Sequence, residues 1–110
     1  MQAQITKEDD IIIIRLHGIS DVESVADLDQ ACKKYCLQKK VIFNLADLNF
    51  VGSSGLDKLI GIISTLSHTS QIKICSARKE FQRIFATSLL GPIEICENEA
   101  KAKETFQDIN

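Results

Sequence analysis

The sequence predicts a single α/β domain over residues 1–110, with a mixed, mainly parallel sheet of about five strands covered by about four helices. Three observations predict it. Short β-branched runs alternate along the chain with segments whose apolar residues recur at helical spacing. The alternation begins after two strands in succession, and strands separated by helices pair in parallel through crossovers. At 110 residues, with 45% hydrophobic and 25% charged side chains, the chain buries roughly two-thirds of the surface its unfolded form exposes, enough for a core without disulfides or metals.

Each element has its own signal. Residues 2–7 alternate weakly, and after the turn-like Glu8-Asp9-Asp10 the run 11–16 suits a strand buried on both faces. Ser20 and Glu23 form a capping box, and Val22, Val25, Leu28, Cys32 and Tyr35 then recur at helical spacing, giving a helix from 21 to about 37. Residues 41–45 read as a strand that ends in a looser stretch, 46–50. A small-residue turn follows, and then Leu56, Leu59, Ile60, Ile63 and Leu66 mark a helix with one sheet-facing stripe. Residues 71–75 read as another strand. A helix over about 78–90 with Phe81, Ile84, Phe85 and Leu89 inward is stopped by Gly91-Pro92. Residues 93–96 read as the fifth strand, and 99–108 as a last helix with Ala102, Phe106 and Ile109 inward.

Composition narrows the function classes. The net charge is −2, from 13 basic and 15 acidic residues, and no basic run exceeds the pairs Lys33-Lys34 and Lys39-Lys40, so no direct nucleic-acid contact is expected. The longest apolar run, 11–14, is far short of the roughly 20 residues that span a bilayer, so no membrane insertion is expected. The polar start lacks the pattern of a secretory signal, which leaves a cytoplasmic address as the default. The four cysteines lie in periodic apolar segments and read as reduced, mostly buried thiols. Cys32 and Cys36 have the spacing of half a zinc site, but Cys75 and Cys96 belong to different strands, so a core role and no metal are expected. His17 and His68 are isolated, and the glycines match neither the phosphate loop nor the G-x-G-x-x-G fingerprint; no cofactor is expected.

The turn Gly52-Ser53-Ser54-Gly55 between the third strand and its helix is the segment that can carry function. Loops leaving the carboxyl ends of strands meet helix N-termini, whose N–H groups lack intrahelical partners. Ser54-Gly55-Leu56-Asp57 fits a capping box with Asp for Glu, so one serine is explained as a cap. Glycine on both sides is not explained by capping: Gly52 and Gly55 strip side chains from around the serines and open the backbone to a partner. The residues alone leave both readings standing.

The stretch 45–60, LADLNFVGSSGLDKLI, resembles the signature of the STAS family, the bacterial anti-sigma-factor antagonists, and the two opening strands and the terminal FQRIFATSLLGPIEICENEAKAKETF match that family's layout. The resemblance implies a STAS-like fold and a non-enzymatic regulator of transcription that acts in signal transduction by protein–protein interaction. It implies phosphorylation at the second serine of the turn, Ser54, with Ser53 the runner-up. An anti-sigma factor serine kinase would bind the unphosphorylated form and be released by the phosphorylated one, and a metal-dependent serine phosphatase would reset the cycle. The implied partner surface is Gly52, Ser53, Ser54, Gly55, Asp57, Lys58 and Gly61.

This chain departs from the family pattern in three places. Gly52 and Asn44 stand where the family commonly has Asp, and Asp57 stands where a small residue is common. These departures keep two other binding readings open: an accessory subunit docking on the ATPase of a lipid-transport ABC system, and a constitutive adaptor without phosphorylation. A serine-nucleophile enzyme at Ser54 ranks last, because no base accompanies the serine in the local sequence.

Overall fold

In a computed structural model of the chain, residues 1–20, 22–50, 54–88 and 93–106 are described. The elements follow the order β1 (Gln2–Glu8), β2 (Ile11–Ser20), α1 (Val22–Tyr35), β3 (Lys40–Phe50), α2 (Ser54–Leu66), β4 (Gln71–Cys75), α3 (Lys79–Ser88), β5 (Glu94–Cys96) and α4 (Glu99–Glu104). This is the element order the sequence predicts. The five strands lie side by side in chain order, with β1 antiparallel to β2 and every later pair parallel.

One row across the sheet shows how the core is assembled. Ile5 pairs with Ile14, Ile14 with Phe43, Phe43 with Ile74 and Ile74 with Ile95. Neighbouring strands therefore present apolar side chains to the same face at the same height. On that face they meet Leu28 and Cys32 of α1, the stripe Leu56, Leu59, Ile60, Ile63 and Leu66 of α2, and Phe85 of α3. The opposite face carries a smaller cluster, in which Ile13, Ile42 and Cys75 are covered by Ala102 of α4. Ile12, Ile13 and Ile14 are thus buried on both faces of the sheet, as the unbroken β-branched pattern requires, with Ile11 partly buried at the start of the run.

Lys73 takes its place on the α4 face although only 5% of it is exposed. Its amine donates to the Ala102 carbonyl at 3.1 Å and to the Thr105 hydroxyl, pairs with Glu94 at 3.3 Å, and lies 4.4 Å from the centre of the Phe106 ring. A cation there satisfies a last-turn carbonyl of α4 and meets the negative end of its dipole. At the other end of α4 the Asn98 side chain accepts from the Lys101 N–H at 2.9 Å.

Several boundaries differ from the sequence pattern. β3 does not loosen at Ala46 but continues to Phe50, through a bulge: Arg15 pairs with Asn44, and the next pair is His17 with Asp47, so β3 carries one extra residue. The Asn44 side-chain oxygen accepts the Ala46 N–H at 2.9 Å, within that irregular stretch. The bulge shifts the buried positions to Leu45 and Leu48, three apart, and so conceals the strand from a period-of-two reading. β2 likewise runs on to Ser20, past Gly18, whose φ of 87° is a conformation that favours glycine. α1 ends at Tyr35, which is 50% exposed; the inward residue of that turn is Cys36.

α3 spans Lys79–Ser88, and its expected end at Leu89, Leu90 and Gly91-Pro92 lies outside the described residues. α4 stops at Glu104 rather than reaching 108, with Phe106 half-buried beyond it, and Ile109 lies outside the described residues. Cys32, Cys36 and Cys75 are buried free thiols and Cys96 is a half-buried one. Burial pushes the Cys75 thiol up to about 11, and a hydrogen bond with Cys36, with burial added, pushes Cys32 up as well. Among the described residues no helix is long and apolar enough to cross a membrane.

Candidate functional site

The central strand β3 feeds into α2, whose first residue is Ser54. Gly52 and Ser53 lie outside the described residues, and Ser54 enters through its backbone as the start of a 13-residue helix. The first N–H groups of such a helix have no intrahelical partner, and the peptide dipoles put partial positive charge there. Asp57 already sits in that first turn. Gly55 and Leu56 are buried, so the helix start is seated against the fold.

Asp57, Lys58 and Gly61 are exposed and come together on one open groove of about 600 Å³ between α1 and α2. The α1 wall of that groove includes Asp29 and Lys33, which pair with each other at 3.1 Å. A Cβ built on Gly61 meets nothing within 4 Å. The fold itself therefore has no packing reason for glycine there, although glycine in a helix interior costs about 0.5–1 kcal/mol relative to alanine. Ile62, partly buried, adds apolar surface to the same groove.

A second cluster, on the α4 face, has no signal in the local sequence. The Arg15 guanidinium holds Glu99 through two hydrogen bonds, Nε to Oε2 at 2.9 Å and Nη2 to Oε1 at 2.8 Å. The Asn44 amide also donates to Glu99 Oε2. The guanidinium draws the Glu99 carboxyl below the usual carboxylate range, burial opposing and Asn44 assisting, while the Arg15 pKa rises in return. Asn44, one of the departures from the family pattern, is thus the donor that a neighbouring carboxylate requires. Arg15 stands out in the sequence only as a charge inside an apolar run.

His17 and His68 are far apart in the element order. His17 Nδ1 lies 3.3 Å from Asp47 Oδ2 in a solvent-open pair, and His68 lines a polar groove at the opposite ends of the strands, next to Lys39, Lys40 and Asp10. Among the described residues no group of three or more His, Cys, Asp or Glu side chains could hold a metal ion.

Comparison with known proteins places the architecture. A family model described as the STAS domain matches residues 2–102. The anti-sigma factor antagonist SpoIIAA in its unphosphorylated form superposes with a TM-score of 0.65 at 21% identity, over 94% of this chain and 96% of that one. The Bacillus cell fate determinant SpoIIAA in its phosphorylated form gives 0.65 at 22% identity, over 94% and 97%. A serine-to-glutamate variant of RsbS from Moorella thermoacetica gives 0.73 at 14% identity, over 94% and 93%.

Proposed function

The chain belongs to the STAS domain family, and from that premise we propose that it is an anti-sigma-factor antagonist whose binding to an anti-sigma serine kinase is switched by phosphorylation of Ser54. In this reading the chain catalyses nothing. Unphosphorylated, it binds the kinase in the cytoplasm and frees the sigma factor; phosphorylated, it releases the kinase, and a metal-dependent phosphatase restores it.

The observation that carries the reading is Ser54 at the first position of α2, next to an exposed groove with a bare glycine. A phosphoryl group adds about −1.5 to −2 charges and three acceptor oxygens. Helix N-termini accommodate anions through their orphan N–H groups and dipole. The helix start therefore tolerates the modification while the surface around it reverses its electrostatic character. SpoIIAA, in its unphosphorylated and its phosphorylated form, shares the fold of this chain with a TM-score of 0.65 in each case. Asp57, Lys58 and Gly61 are the contacts proposed on the described side of the site, with Gly55 behind them; Gly52 and Ser53 complete the proposed surface. At Gly61 the absent side chain allows a partner's backbone to approach closely.

The test uses wild type, Ser54→Ala and Ser54→Asp as baits in native-host lysate, read by mass spectrometry together with the bait's own phosphorylation state. A serine kinase recovered by wild type and Ser54→Ala but not by Ser54→Asp supports the switch. Equal recovery of one protein by all three baits refutes it and makes the chain a constitutive adaptor. If the protein recovered is an ABC ATPase, the chain is instead an accessory subunit of a transport system.

A further inference from the structure

We propose that β1 is a self-association edge: two copies of the chain pair antiparallel through it about a two-fold axis, with Ile5 opposite Ile5 of the second copy. β1 ends the sheet on one side and β5 on the other. A sheet edge offers unpaired N–H and C=O groups to any incoming strand, and proteins blunt such edges with short strands, charged side chains, proline, bulges or a covering helix or loop. β5 is blunted by its three-residue length. β1 is blunted only at its end, by Lys7 and Glu8. It has seven residues without proline, and its register against β2 is unbroken from Gln2 to Glu8.

The register follows from the strand itself. Antiparallel strands related by a two-fold axis perpendicular to the sheet keep their faces, so facing residues share a side. Ile5 is the midpoint of β1, and centring the axis there pairs all seven residues: Gln4 faces Thr6, Ala3 faces Lys7, and Gln2 faces Glu8. No like charges meet. An axis at Gln4 would face Ile5 with Ala3, and one at Thr6 would face it with Lys7, both losing the apolar pair. Ile5 is half-buried on the helix side of the sheet, where it lines a groove of about 520 Å³ with Ile12 and the exposed Tyr35. Cross-strand apolar pairs of this kind are the unit of sheet stabilisation.

Sedimentation velocity from low micromolar to near-millimolar protein tests the proposal. Wild type is expected to move reversibly from monomer to dimer. Ile5→Lys and Ile5→Glu each set like charges on the axis and raise the dimer dissociation constant about fivefold, and an equal mixture of the two recovers a dimer. Ala3 is exposed, so its variants test the same register without touching the core. Ala3→Glu, facing Lys7, tightens the dimer and Ala3→Lys loosens it. Tyr35 is the single tyrosine of a chain without tryptophan, so its emission should change with protein concentration along the same isotherm. A wild type that stays monomeric throughout, or a dimer indifferent to all four substitutions, overturns the proposal.

Discussion

Replacing Asn44 by aspartate, the residue the family commonly carries there, should destabilise this chain. Asn44 donates to Glu99 Oε2 while Arg15 holds the same carboxylate from the other side. An aspartate removes the donor and sets a second carboxylate against the first. Two charges about 3–4 Å apart repel by about 4–6 kcal/mol at an effective dielectric near 20. Arg15 lies close enough to offset much of that, and the side chains of Arg15 and Glu99 retain 29% and 19% exposure, which screens the rest. The lost hydrogen bond to a charged group alone accounts for about 1.5–3 kcal/mol. A net loss of about 2 kcal/mol follows, a urea midpoint shift of about 1 M for a domain of this size.

Urea unfolding of wild type, Asn44→Asp and Asn44→Asp/Glu99→Gln at neutral and acidic pH reads the effect and its cause. Two carboxyls sharing a site push one pKa up. The penalty of Asn44→Asp is therefore full at neutral pH and shrinks as pH falls through that raised value. The double variant restores one donor and one carboxylate, so it should recover most of the loss. A penalty that ignores pH, or a double variant no better than the single one, would refute the electrostatic reasoning.

Three further outcomes are expected. Gly61→Ala should gain about 0.5–1 kcal/mol in thermal unfolding, because glycine is costly in a helix and the new methyl meets nothing, yet weaken capture of the partner recovered in the Ser54 experiment. Lys73→Met should cost about 2 kcal/mol and raise hydrogen exchange in α4 first, since it removes the cation on the Ala102 carbonyl while leaving Glu94 in solvent. Glu99 in the wild type has a carboxyl held below its ordinary value of 4.5. Its contribution is thus present above that value and lost as pH falls through the lowered one; Glu99→Gln should flatten this part of an acid-unfolding profile.

The order of the elements was legible because β-branched runs and helical spacing are local signals. Ile13 and Ile42 read as buried strand residues, and the α2 stripe from Leu56 to Leu66 lies against the sheet as its spacing requires. What failed was whatever depended on a partner distant in sequence. The continuation of β3 was hidden by the extra residue between Asn44 and Asp47, which matters only once β2 lies alongside. Tyr35 fitted the helical period as well as Cys36 did, and only the packing of α1 decided that Cys36 goes in. Arg15 and Glu99 are 84 positions apart and Asn44 and Glu99 are 55 apart, so no window reveals their cluster. At the candidate site, it was the family resemblance that pointed to Asp57, Lys58 and Gly61, and the groove that they share needed α1 as its second wall.

The same geometry bears on how a charge at Ser54 would be felt. β3 is the middle strand of five, with Phe43 fully buried on one face and Asn44 tied through Glu99 to Arg15 on the other. α2 leaves that strand with Leu56 and Leu59 buried directly behind its first residue. Moving the start of α2 would expose those leucines, each of which costs about 1.5–3 kcal/mol to bring into water. A surface anion at a helix N-terminus is worth only about 0.3–1 kcal/mol. Leucine burial outweighs it and holds the helix in place, so a phosphoryl group at Ser54 would leave the backbone where it is and be expressed in the affinity of whatever meets the α1–α2 groove.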